Sequence, residues 1–111
     1  MKEIKAVVKP TRLSRLREAF RKMPNFPGMT VVQAEGSGYH PNKLMRPGVR
    51  SELADFTAKV RIEIVAQDAE VEELLRVIHE ICHTGQIGDG VMWVTPVESF
   101  HRLREKREQG H

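Results

Sequence analysis

The alternation of apolar and polar side chains in two separate stretches constrains the fold of this chain more than any other feature. Residues 2–9 and 56–65 place apolar side chains at every second position, which is typical of strands that bury one face. Each stretch leads into a segment whose apolar side chains are spaced three and four apart, over residues 12–23 and 68–82. That spacing predicts an amphipathic helix in each place.

Two more strands complete the pattern. Residues 29–34 are rich in β-branched side chains, and residues 91–96 begin with a short apolar run. The order is then strand, helix, strand, strand, helix, strand. It predicts an α+β domain of the ferredoxin-like βαββαβ type, with four antiparallel strands and both helices on one face. We expect Thr11 and Asp68 to be the N-caps of the two helices.

The sheet face away from the helices would be open in such a domain. Val7 and Val65 are apolar on that face, and Lys59 and Arg61 have long aliphatic stems. We therefore expect the open face to pack against copies of the same chain. Trp93, in the short fourth strand, is expected to lie in the core.

Length indicates one domain, residues 1–111, and its balance of hydrophobic and charged residues is ordinary for a globular protein. Of its 111 residues, 40% are hydrophobic and 30% charged, and the net charge is +3. No apolar run approaches the roughly 18 residues that cross a membrane, and the alternation from Lys2 onward is unlike a secretory leader. With Cys82 as its single cysteine, the chain is expected to be cytoplasmic. The arginines of the first helix are interpreted as a solvated face, so no nucleic-acid partner is expected.

The segment between the second and third strands, residues 37–55, shows no sustained periodicity. Two prolines and two glycines interrupt it. A loop of this length in a small domain is usually functional, so we expect it to bind a ligand or a partner protein. Residues 97–111 form a C-terminal segment, in which residues 97–107 could form a frayed helix.

A glycine-rich stretch, residues 84–90, joins the second helix to the fourth strand, and we call it the glycine loop. Three of its last six residues are glycine. Such a stretch can turn sharply and direct several backbone N–H groups at one phosphate. A plain connection, with Gly85 as a helix C-cap and a turn at Asp89 and Gly90, explains the loop about equally well.

Two further features favour a phosphate site. Residues 36–38, Gly-Ser-Gly, stand where the second strand ends. Arg102 and Arg104 follow the fourth strand, and two guanidinium groups at this spacing can hold anionic oxygens.

No arrangement of side chains typical of catalysis stands out, and we do not expect an enzyme. His79 and His83 lie four residues apart near the end of the second helix, a spacing that could share a metal ion. Because no carboxylate or cysteine pattern accompanies them, they are interpreted as surface histidines. Cys82, at the edge of the apolar stripe, is interpreted as structural.

These stretches are similar to those of a known family. The chain resembles the PII signal-transduction proteins over nearly its full length. The matching segments are residues 2–10, 28–31, 36–38, 59–65, 84–90 and 102–104. Of these segments, residues 59–65 and 84–90 are the most characteristic of the family.

The resemblance implies a homotrimer of ferredoxin-like subunits that binds ATP or ADP in three clefts between neighbours. It implies a regulator, as in the control of nitrogen utilization, whose long T-loop, here residues 37–55, docks on a target protein such as a transporter or a regulatory enzyme. The nucleotide-binding residues implied by the matching segments are Thr30, Gly36, Ser37, Gly38, Lys59, Glu63, Val65, Thr84, Gly88, Asp89, Gly90, Arg102 and Arg104. The family also has a lysine at the position of Lys59, near a site for 2-oxoglutarate.

The chain departs from the family pattern in three places. Val91 stands where the family usually has a lysine, so we expect weaker selection for ATP and a preference for ADP or AMP, with the need for Mg²⁺ left open. The T-loop tyrosine that the family modifies is absent, which leaves Ser51 as a candidate modification site. His40 replaces a glutamine that helps to bind magnesium and 2-oxoglutarate, and its imidazole could take a metal.

Two interpretations therefore stay open. The first is a nucleotide-responsive regulator. The second is a PII-like trimer that has lost classical nucleotide and 2-oxoglutarate sensing and responds to a metal or another small anion. The turn at residues 25–28 and the unusual loop resemble a divergent group of the family, some members of which are encoded beside heavy-metal efflux pumps.

Overall fold

The chain folds as the α+β, ferredoxin-like domain that its sequence predicts. The computed structural model describes residues 1–37 and 56–107. Its elements are β1 (Lys2–Val8), a 3-10 turn (Pro10–Arg12), α1 (Leu13–Arg21), β2 (Thr30–Gly36), β3 (Thr57–Ala66), α2 (Asp68–Cys82) and β4 (Gly90–Pro96). No helix among these residues is long and apolar enough to span a membrane.

The four strands form one antiparallel sheet in the order β2-β3-β1-β4. Val8 lies opposite Val60 on one side and Gly90 on the other. Lys2, at the other end of β1, lies opposite Ala66 and Pro96. The sheet therefore has a loop end, where Val8, Val60 and Gly90 meet, and a tail end, where Lys2 and Pro96 meet.

The core lies between one face of the sheet and the two helices. Ile4 and Ile64 face each other across β1 and β3, and both are fully buried. Leu16 and Phe20 of α1 and Leu74 of α2 cover them from the helix side. Each such side chain contributes roughly 1.5–3 kcal/mol when it is removed from water. The alternation in the sequence predicted this face correctly.

The helix starts differ from the prediction. Thr11 is not an N-cap, because Pro10 begins a 3-10 turn and α1 starts only after Arg12, without a side-chain cap. Asp68 is not the N-cap of α2 either. Gln67 is, in a capping box with Glu70. The Asp68 carboxylate instead pairs with the amino group of Met1 at 2.8 Å.

Two predictions near the chain end are wrong. Trp93 lies opposite Lys5 on the open face and is 42% exposed, because its neighbour Met92 takes the core side of β4. Residues 97–107 contain no helix. Instead, the Val97 N–H donates a hydrogen bond to the Met1 carbonyl oxygen. Farther on, the Glu105 N–H donates to the Arg102 carbonyl oxygen and closes a turn.

Candidate functional site

The glycine loop is held in shape by the side chain of Asp89. Its carboxylate accepts hydrogen bonds from the backbone N–H of Thr84 at 2.6 Å and of Gly85 at 2.9 Å. The Thr84 hydroxyl donates to the same carboxylate. One side chain near the end of the loop thus closes it against its beginning.

These contacts also set the ionisation of Asp89. The hydrogen bond from the Thr84 hydroxyl lowers the pKa of the carboxyl well below its usual range, and the bonds from the backbone of Thr84 and Gly85 add to the effect. The group is therefore an ionised acceptor at neutral pH. Its place is to organise the loop, since a carboxylate repels a phosphate.

Two lysines bring positive charge to the loop. The Lys59 ammonium donates to the Gly88 carbonyl oxygen at 2.7 Å. The Lys9 ammonium lies 3.7 Å from an oxygen of Asp89. Lys59 belongs to β3 and Lys9 directly follows β1, so the central strands of the sheet deliver both charges to one place.

Lys9 was not among the predicted site residues. It lies in the segment, residues 2–10, that carries part of the family resemblance, which is the one signal the sequence offers. Its contact with Asp89 depends on the pairing of β1 with β4. No pattern within β1 reveals that pairing.

Close backbone approach requires glycine at Gly90. A Cβ built there would lie 2.0 Å from the carbonyl oxygen of Val7, and its φ of +117° is rare for other residues. Gly36 has a milder constraint, because a Cβ there would lie 3.0 Å from Cγ of Lys59. At the loop end of the sheet, the backbone of Gly90 therefore packs against the backbone of Val7, and the backbone of Gly36 packs against the aliphatic part of Lys59.

Three of the predicted nucleotide-binding residues, Thr30, Glu63 and Val65, lie farther along the sheet. Thr30 is opposite Glu63, and Val65 is opposite Glu3. Glu63 is four residues from Lys59 along β3, roughly 13 Å at the rise of a strand. Its carboxylate pairs with Arg61 at 3.0 Å. These side chains share the open face with Lys59 but do not contact the glycine loop.

Arg102 and Arg104 lie on the other side of the domain. They follow Pro96, at the tail end, whereas Gly90 is at the loop end, roughly 20 Å away along a seven-residue strand. The Arg102 guanidinium stacks over the ring of Phe100 at 5.1 Å. Arg102 lines a cavity together with Met1 of the tail end, so within one chain it is separated from the glycine loop.

Some predicted positions fall outside the described residues. Gly38, His40 and Ser51 are among them, as is all of the predicted T-loop except its first residue, Ser37. Ser37 follows the end of β2 and is exposed. Thr57 begins β3 opposite Gly36, so the T-loop segment departs from and returns to the loop end of the sheet.

Comparison with known proteins identifies the family of this chain. The family model described as nitrogen regulatory protein P-II matches residues 1–107. A nitrogen regulatory protein P-II from Azospirillum brasilense is 37% identical over 110 residues, which cover 99% of this chain and 97% of that protein. The protein of the same description from Rhodospirillum rubrum is 34% identical with the same coverage. One from Rhizobium meliloti is 34% identical over 104 residues, covering 94% of this chain and 92% of that protein.

The match spans every element that builds the candidate site, from Lys9 to Arg104. Proteins of this family are signal-transduction regulators rather than enzymes; they bind adenine nucleotides and interact with target proteins. The chain belongs to the nitrogen regulatory protein P-II family.

Proposed function

We propose that this protein is a signal-transduction regulator that binds an adenine nucleotide, ATP, ADP or AMP, at the glycine loop and controls a target protein through residues 37–55. The observation that carries the proposal is the convergence of Lys9 and Lys59 on a loop that Asp89 holds in shape. A loop fixed in this way presents its backbone to an anion without reorganising, and the lysines offset the phosphate charge.

The position of the arginines favours a site shared between chains. Arg102 and Arg104 follow the end of β4 at the tail end. One phosphate chain can therefore contact both the glycine loop of one subunit and the arginines of a neighbouring copy. Trp93 and Val91 are 42% and 63% exposed on the open face, which gives that face apolar surface to bury between copies. Both features support a homotrimer with nucleotide clefts between subunits.

The remaining predicted residues fit the other end of such a ligand. Thr30, Glu63 and Val65 line the open face beyond Lys59, where a ribose and a base would extend from phosphates at the loop. Gly36 and Ser37 border the same region from β2. We propose that these residues, together with Thr84, bind the nucleoside part. Gly88 and Gly90 would then serve the phosphates, in a loop that Asp89 holds in shape.

Lys59 offers a route from nucleotide to T-loop. It bonds to Gly88 in the glycine loop and packs along Gly36, after which the T-loop segment begins. A phosphate that attracts the Lys59 ammonium would take it from the Gly88 carbonyl and alter the packing at Gly36. The ligand would then favour one arrangement of the T-loop root over another, which changes the affinity for a target.

The comparisons do not favour the alternative, a trimer that has lost nucleotide sensing. We propose a transporter or a regulatory enzyme as the target. Assignment to the group encoded beside metal-efflux pumps likewise stays a prediction from the turn at residues 25–28.

Calorimetric titration with ATP, ADP and AMP, each with and without Mg²⁺, tests the proposal. We expect micromolar binding of at least one adenylate, and a ranking that does not favour ATP, because Val91 supplies no charge. Lys9→Met and Lys59→Met should each weaken binding by about tenfold or more. Lys22→Met, on the exposed end of α1, is the matched control and should bind as wild type. Absence of binding at millimolar nucleotide would contradict the proposal.

A further inference from the structure

Two imidazole rings lie side by side at the C-terminal end of α2. The rings of His79 and His83 are stacked, with centroids 4.9 Å apart and an angle of 14° between their planes. Both side chains are exposed. The His83 N–H donates to the His79 carbonyl at 2.9 Å, so the helical backbone fixes the separation of the two residues.

A cavity with soft ligand atoms lies beside the pair. Its volume is about 150 Å³, and both histidines line it together with Cys82, Met92 and Asp89. Cys82 is a buried thiol, and Met92 brings a thioether. Of these groups, imidazole is the one that Zn²⁺, Cu²⁺ and Ni²⁺ prefer, whereas Mg²⁺ prefers oxygen ligands.

We propose that His79 and His83 together bind a divalent transition-metal ion, of the class of Cu²⁺, Ni²⁺ and Zn²⁺. Histidines four apart on a helix present their rings to one ion. As placed, the rings stack face to face; because both side chains are exposed, they are free to rotate so that one nitrogen of each ring would face a shared ion. Among residues 1–37 and 56–107, no three His, Cys, Asp or Glu side chains form a group that could hold a metal. The site is therefore open, with two imidazoles from the protein and water completing the coordination.

The site adjoins the proposed nucleotide site, since Asp89 and Gly90 line the same cavity, but its two ligands are not among the proposed nucleotide-binding residues. His83 nevertheless directly precedes Thr84, whose N–H and hydroxyl bond to Asp89. An ion held by both rings fixes the helix end from which the glycine loop departs. Metal binding is accordingly expected to perturb the loop without occupying it.

The first test is a calorimetric titration of the nucleotide-free protein with Cu²⁺, Ni²⁺, Zn²⁺ and Mg²⁺. We expect Cu²⁺ to bind tightest, following the general order of affinities, and Mg²⁺ to show no binding at this site. His79→Ala and His83→Ala should each weaken Cu²⁺ and Ni²⁺ binding by about tenfold or more. His101→Ala, an exposed histidine at the tail end, is the matched control and should leave binding unchanged.

A second measurement locates the ion. In an NMR spectrum, substoichiometric Cu²⁺ should broaden the amide signals of His83, Thr84 and Gly85 before those of the tail. Circular dichroism verifies that both variants keep the wild-type fold. Unchanged Cu²⁺ affinity in His79→Ala and His83→Ala, or broadening centred on another histidine, overturns the proposal.

Discussion

The loop end and the tail end of the sheet differ in the number of side-chain hydrogen bonds that hold them in shape. At the loop end, Asp89 accepts three hydrogen bonds, Lys59 donates one, and the side chains of Lys9 and Asp89 are 32% and 18% exposed. At the tail end, Leu103 is 99% exposed and Phe100 is 37% exposed. The loop end also exposes apolar side chains, since Ile87 and Val91 are 66% and 63% exposed. The difference between the two ends therefore lies in the side-chain hydrogen bonds that hold the glycine loop.

This difference bears on the proposed anion site, to which the two ends would contribute different groups. In the proposed site, the loop end would supply a cradle that is already formed, which lowers the ordering cost when a ligand binds. The tail end would supply guanidinium groups on a segment whose apolar side chains are exposed. Docking against a neighbouring chain would bury these side chains and complete the proposed site, so that assembly and nucleotide binding would reinforce each other.

Gly90→Ala should have the largest effect, because it disrupts the loop end directly. The added Cβ would lie 2.0 Å from the Val7 carbonyl oxygen at a φ of +117°, and strand pairing would have to shift. We expect a loss of roughly 3 kcal/mol or more in the free energy of unfolding, measured by urea denaturation. Gly85→Ala is the matched control: its φ is +84° but nothing lies within 4 Å, so it should cost only about 1–2 kcal/mol. Equal losses would show that close approach does not constrain Gly90.

Substitutions at the two ends should separate stability from affinity. Asp89→Ala should lower both the Tm and nucleotide affinity, since the loop loses its closing hydrogen bonds. Arg102→Ala should weaken nucleotide binding by about tenfold to a hundredfold and leave the Tm of the subunit nearly unchanged. Calorimetry and thermal melts on the same samples measure both quantities.

Mixing the two variants sharpens this comparison. If each site combines one chain's loop with another chain's arginines, trimers that contain both variants regain some intact sites. Binding after mixed refolding should then exceed that of either variant alone. No recovery, with mixed trimers demonstrated by mass spectrometry, would place loop and arginines in the same chain and contradict the shared cleft.

Val91→Lys should change affinity without changing structure. Val91 is 63% exposed next to the glycine loop, so a longer side chain has room. A restored charge-assisted contact is expected to improve ATP binding by about 1.5–3 kcal/mol, roughly tenfold to a hundredfold, and ADP binding by less. Ala69→Lys adds the same charge at the far, exposed end of α2 and should alter neither. ATP affinity that stays level or falls in Val91→Lys would remove Val91 as the cause of weak ATP selection.

The sequence predicted most of the fold because its signals are local. Alternation located the strands, and spacing located α1 and α2. The errors arose where tertiary structure decides. Trp93 is apolar enough for a core, yet its position between two core-facing neighbours of β4 turns it to the open face. Asp68 is a good N-cap by type, but Gln67 has the extended backbone and the capping box with Glu70.

The site divides in the same way. The glycine loop could be predicted because the residues that close it, Thr84 and Asp89, are close in sequence. Lys9 was missed, since its contact with Asp89 joins residues eighty positions apart in the sequence, and the predicted fold alone does not say which side chains meet there. The arginines were predicted from the spacing of their two guanidinium groups and again from the family resemblance, and their separation from the loop became visible only from the strand register.

The smallest expected effect concerns the pH dependence of the loop. The pKa of Asp89 in the folded protein lies below that of an aspartate in the unfolded chain, which is about 3.9. Its contribution to stability is therefore complete above about pH 5, and it declines as the pH falls through the unfolded value toward the folded one. We expect the Tm of wild type to exceed that of Asp89→Asn by a constant few degrees between pH 5 and 7, and the gap to narrow from about pH 4 downward. Other carboxyl groups titrate alike in both proteins and cancel in the comparison. A gap that widens in acid would mean that the protonated form of Asp89 stabilises the loop, contrary to the hydrogen bonds it accepts from Thr84 and Gly85.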